Sequence, residues 1–96
     1  MPEAVEVVDN PERHRFEARV DGILSQVGYR INGNEITFTH TEVPESLSGR
    51  GIANQLAQTA LNFARDNRMK VVPLCPFIAA YIKRHPEYQA LVADKA

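Results

Sequence analysis

The 96-residue sequence has no tryptophan and a single cysteine, Cys75. One thiol excludes an intrachain disulfide, so the fold needs no oxidising compartment. A dominant charge is missing too: 11 basic residues face 12 acidic ones, for a formal net charge of -1. That balance gives neither a basic footprint for nucleic acid nor an acidic tail. The densest basic cluster, Arg13-His14-Arg15, sits between apolar positions and reads as a solvated strand face. No apolar run approaches the roughly 20 residues of a spanning helix. No set of His, Cys, Asp and Glu has metal-ligand spacing. The opening Met1-Pro2-Glu3-Ala4 lacks the basic and apolar regions of a signal peptide. The expectation is a cytoplasmic protein that uses no nucleic acid, membrane or metal.

What is present suits one small soluble domain over residues 1–96, with 44% hydrophobic and 24% charged residues. Residues 4–8 are rich in valine, and Asp9-Asn10-Pro11 is turn chemistry. Phe16, Ala18 and Val20 alternate with charged residues, the period-2 mark of a half-buried strand. Asp21-Gly22 predicts a two-residue hairpin loop, and Asn32-Gly33-Asn34 a second hairpin turn. Between them Val27, Tyr29 and Ile31 share a face, while Ile23-Leu24 break the alternation, which suggests a bulge near Ser25-Gln26. Residues 35–43 form the clearest strand, with Ile36, Phe38, His40 and Glu42 on one face and Thr37, Thr39 and Thr41 on the other.

The period then changes. Over residues 51–66, Ile52, Leu56, Ala60 and Phe63 recur at a spacing of about 3.6, an amphipathic helix with Asn67 at its C-cap. Residues 70–74 read as a strand. Cys75-Pro76 opens a second helix, and Pro86 opens a last short one through about Val92. A strand–helix–strand unit crosses over, so strand 70–74 lies parallel to strand 35–43. The fold class is α+β: an antiparallel four-stranded meander, a helix crossover to a fifth strand parallel to the fourth, and two C-terminal helices.

Chemistry concentrates in Ser48-Gly49-Arg50-Gly51-Ile52-Ala53, between a strand and a helix start. The glycines allow close backbone approach, and the helix start offers unpaired N–H groups and a positive dipole end, a site for phosphate. A plain tight connection would look the same. The segment resembles motif A of the GNAT acetyltransferases, Arg/Gln-x-x-Gly-x-Gly/Ala, with Gly51 and Ala53 matching and Ser48 in place of Arg or Gln. His40-Thr41-Glu42-Val43-Pro44, the run from Lys70 to Phe77 and the run from Tyr81 to Tyr88 resemble the short one-domain GNAT-like proteins.

The resemblance implies a truncated GNAT fold that moves an acetyl group from acetyl-coenzyme A to an amine. The pyrophosphate would sit on amides of Gly49, Arg50, Gly51, Ile52 and Ala53. Pantetheine would run beside Glu42 and Val43 where the parallel strands splay, and the thioester would end near Cys75. Arg50 adds a mobile charge, and Lys83 and Arg84 are candidates for the 3′-phosphate. Four residues are candidate catalysts. His40 and Glu42 could take the amine proton, and Tyr81 could protonate the departing thiolate. Cys75 could attack the thioester or merely line the pocket while the amine attacks directly, the route favoured here. Each also has a structural reading: packing for His40, Tyr81 and Cys75, solvation for Glu42. Twenty-one residues follow Cys75 and read as helix, whereas full-length GNAT enzymes carry further strands around the acceptor. Their absence implies an open site and keeps two alternatives: a coenzyme A-binding module with little catalysis, and an interaction domain whose glycine loop is only a turn. The acceptor and the oligomeric state stay open.

Overall fold

A computed structural model describes residues 4–93. Five strands form one sheet in sequence order: β1 (Val7–Asn10), β2 (Arg15–Val20), β3 (Ile23–Asn32), β4 (Glu35–Glu42) and β5 (Lys70–Pro73). The first four pair antiparallel, and β5 runs parallel to β4. Helix α1 (Ile52–Asp66) makes the crossover, and α2 (Pro76–Arg84) follows β5. The Asp21-Gly22 hairpin forms as the dipeptide dictates: Val20 pairs with Ile23, and the loop residues take φ of 54° and 76°. The first strand lies later than expected, because Asp9 and Asn10 pair with Phe16 and Arg15 before the turn. The last helix is a 3₁₀ turn, Pro86–Leu91, after which Val92 bridges Val71 on the far edge of β5.

Both helices pack on one sheet face. Phe16, Val27, Tyr29, Ile36, Phe38 and Val71 join Leu56, Leu61, Ile78 and Ile82 in one apolar cluster. The other face carries Arg15, Glu17, Arg19 and Gln26, set between these core positions by the strand pleat. No helix among the described residues is long and apolar enough to cross a membrane.

The bulge lies elsewhere than the sequence suggested. The β2–β3 register runs unbroken through Ser25 and Gln26. In the β3–β4 pair, Gly28 faces His40 but Tyr29 faces Phe38, which leaves Thr39 without a partner. One extra residue reverses every side chain beyond it. Ile36 and Phe38 remain in the core, but Thr41, opposite Val27, now takes the helix face. His40 and Glu42, opposite Gly28 and Gln26, turn to the open face. The expectation that His40 and Glu42 share a face with Ile36 and Phe38 is therefore corrected.

The parallel pair is short. Glu35, Ile36, Thr37 and Phe38 match Lys70, Val71, Val72 and Pro73, and the strands then part. The Cys75 N–H donates to the Phe38 carbonyl at 2.9 Å and closes the base of the fork. Beyond Phe38, β4 has no strand partner on that side among the described residues.

Candidate active site

Beyond the fork the chain turns through a 3₁₀ segment, Glu45–Leu47, into the glycine loop. Gly49 and Gly51 hold φ of 79° and 78°, a region that strains any residue with a Cβ. Gly51 is the N-cap of α1 and makes no side-chain cap hydrogen bond. The first helical bond is Gln55 N–H to the Gly51 carbonyl at 3.2 Å. The N–H groups of Ile52, Ala53 and Asn54 thus precede it at the positive end of a 15-residue helix. A cleft of about 260 Å³ opens there, bordered by Val43, Leu47, Gly49, Gly51, Asn54 and Phe77, with Ser48, Ile52 and Ala53 completing its wall. The geometry fits a phosphate on backbone amides beside an apolar wall. The sequence missed Leu47, Asn54 and Phe77 as lining residues.

The expected basic contacts do not gather at this cleft. Arg50 lies between the glycines, yet its guanidinium meets Asp21 of the β2–β3 turn at 3.3 Å and does not border the cleft. Lys83 and Arg84 occupy the last turn of α2, whereas the cleft touches α2 at Phe77 in its first turn. At about 1.5 Å rise per residue they stand roughly 9 Å further along the axis. Lys83 and Arg84 thus stand further along α2 than the cleft itself.

Tyr81 is displaced in the same direction. Its ring stacks on His85 at 3.9 Å and lies 6.2 Å from Tyr88, whose hydroxyl donates to Asn62 Oδ1 at 2.7 Å. Burial, followed by the neighbouring Tyr88, pushes the Tyr81 hydroxyl above its ordinary pKa. A hydroxyl that holds its proton more tightly is a poorer acid for a departing thiolate. Tyr81 packs in the α2–3₁₀ corner, with its ring 6.4 Å from that of Phe77 on the cleft wall.

Cys75 stands at the fork as the N-cap of α2, 2% exposed. Its sulfur contacts Thr41 Oγ1 at 3.1 Å. Thr41 escaped the sequence reading because the bulge decides which way it points. On the open face His40 and Glu42 are both exposed. Thr39 Oγ1 sits 3.1 Å from His40 Nδ1. Glu42 Oε1 accepts from Gln26 Nε2 at 2.8 Å, and Gln26 Oε1 accepts from Arg15 Nη1 at 3.0 Å. An arginine only donates, so it turns the Gln26 amide to offer N–H to Glu42. Arg15 is fixed by Glu17, which also accepts from Asn10 Nδ2 at 3.0 Å. The fork thus separates two chemistries: thiol, hydroxyl and the glycine-loop cleft on the helix side, imidazole and carboxylate on the open side. Among the described residues no cluster of His, Cys, Asp and Glu could hold a metal.

Known proteins share this frame. The model of a family described as GCN5-related N-acetyl-transferase matches residues 15–91. Protein NATD1 of Gallus gallus and of Mus musculus are each 34% identical to this chain, over 91% of it and 82% of the relative. The solution structure of a GCN5-like protein from Staphylococcus aureus superposes with a TM-score of 0.72 at 26% identity, over 95% of this chain and 90% of that one. The family match spans β2 to β4, the fork, the glycine loop and α2, and the chain belongs to the GCN5-related N-acetyltransferase family.

Proposed function

We propose that this protein transfers an acetyl group from acetyl-coenzyme A to a primary amine by direct attack. The observation that supports it most is continuity. Val43, which borders the phosphate cleft, directly follows the stretch of β4 that lacks a partner beyond Phe38. A ligand with an anionic end and a peptide-like arm fits that path. The amides of residues 49–54 hold the pyrophosphate, and the edge near Glu42 and Val43 pairs with the pantetheine amides. The acceptor arrives from the open face. The amine nitrogen bonds to the acetyl carbon, the carbon–sulfur bond breaks, and coenzyme A leaves as thiolate. The amine proton passes to His40 or Glu42.

Titration with acetyl-coenzyme A, followed by backbone amide NMR, tests the binding half. The largest shifts are expected at residues 49–54 and 41–43; unchanged amides at 49–54 under saturation would remove the binding mode. Acceptor-dependent thiol release with a panel of primary amines tests the chemical half. Binding without release across that panel would favour a coenzyme A-binding module.

A further inference from the structure

We propose that Gly28 is a positioning residue for His40: its missing Cβ lets the imidazole lie against β3 with Nε2 left for the acceptor amine. The inference rests on the reading of His40 as a proton acceptor. Gly28 sits inside the sheet, paired with Arg15 on one side and His40 on the other. Glycine weakens a strand interior, since it loses more backbone entropy and packs nothing. Its backbone does not require glycine here, because the positive-φ glycines are Gly22, Gly33, Gly49 and Gly51. The space requires it. A Cβ at Gly28 would stand 2.8 Å from His40 Nδ1, closer still to Cε1, and 3.0 Å from Thr39 Oγ1. The ring therefore occupies the volume that any other residue would fill.

The seat has a second side. The bulge at Thr39 turns His40 out of the core and onto the open face, and the Thr39 hydroxyl meets Nδ1 at 3.1 Å. In the tautomer whose Nδ1–H donates to that hydroxyl, which the proposal assigns, Nε2 carries the free lone pair. When Nε2 takes the amine proton the ring becomes imidazolium, and the Nδ1–H bond to Thr39 persists. One hydrogen bond thus orients the base before and after transfer. An exposed ring gains little from burial, so a glycine and a bulge that both serve it point to its chemistry rather than to folding.

The experiment is a cycle of Gly28→Ala, His40→Ala and the double variant. It reads thermal midpoint, His40 ring ¹⁵N shifts, and thiol release from acetyl-coenzyme A with propylamine as the probe acceptor. With His40 present, Gly28→Ala is expected to lower the midpoint and move both ring nitrogens. In the His40→Ala background it is expected to leave the midpoint unchanged or raise it, because alanine restricts the unfolded chain. Gly28→Ala is expected to lower kcat by about tenfold at unchanged KM for acetyl-coenzyme A, with no further loss once His40 is gone. An equal midpoint change with and without His40 would overturn the seat. Equal thiol release by wild type and His40→Ala would instead retire His40 as the proton acceptor. The midpoint cycle and ring shifts need no turnover, so they separate failure of the seat from failure of that reading.

Discussion

At the scale of single residues, Cys75 shows how position restricts chemistry. The thiol is buried at a helix start and touches Thr41 Oγ1 at 3.1 Å, a hydroxyl rather than an imidazole. A nucleophilic thiol needs a base to take its proton, and an amine needs no covalent relay. Cys75→Ala is therefore expected to keep turnover within severalfold and to lower stability by about 1 kcal/mol, the scale of a small buried deletion. Thiol release and urea denaturation measure the two effects. Lost turnover, together with an acetyl adduct on intact wild-type protein that is absent from the variant, would favour the covalent route. The partners of Cys75 and Glu42 were illegible in the sequence for one reason. Period-2 alternation assigns faces only while the register holds, and the unpaired Thr39 reverses it. The available signal was Gly28, an isolated glycine inside a strand pattern, which marks a bulge or a close approach.

Among the elements, the start of α1 was the most legible, because glycine spacing and a change of hydrophobic period both mark it. Turn dipeptides likewise set the hairpins. What the sequence could not supply was direction: Arg50 lies in the loop by sequence but extends to Asp21, 29 residues earlier in the chain. Asp9 and Asn10 read as turn formers yet end β1, held by cross-strand contacts such as the Tyr29 hydroxyl donating to Asp9 Oδ1 at 2.6 Å. The glycine loop carries its own expectation. Gly51 is an N-cap at φ 78°, so Gly51→Ala forces a Cβ into the left-handed region at a cost of about 1–2 kcal/mol. The strain is expected to shift the first-turn amides and weaken acetyl-coenzyme A binding by about tenfold, equivalent to one charged hydrogen bond. Denaturation and calorimetric titration check both. Unchanged affinity at reduced stability would separate the loop from the phosphate.

Among the described residues the molecule has two layers, one of helices and one of sheet, so one face of the sheet must remain stable against water without a covering element. Side chains on the open face do this by bonding to one another across strands. Asn10, Glu17, Arg15, Gln26 and Glu42 form one hydrogen-bonded series from β1 to β4. Glu17 anchors it, with only 9% of its surface exposed. The Arg15 hydrogen bond outweighs burial, with Asn10 and Arg19 assisting, and holds the Glu17 carboxyl below its ordinary 4.5. A carboxyl whose folded value is depressed binds its proton more readily in the unfolded chain. Its contribution to stability is then fully present at neutral pH, above the unfolded value, and disappears as pH falls through the folded one. Glu17→Gln keeps the shape and removes the charge. The variant is expected to be less stable than wild type at pH 7. The gap should narrow as pH falls below about 5, where unfolded carboxylates begin to take protons. Urea denaturation at pH 7, 5, 4 and 3 measures it. A gap that stays constant across that range would show that Glu17 acts through packing alone, and that its charge does not hold the open face together.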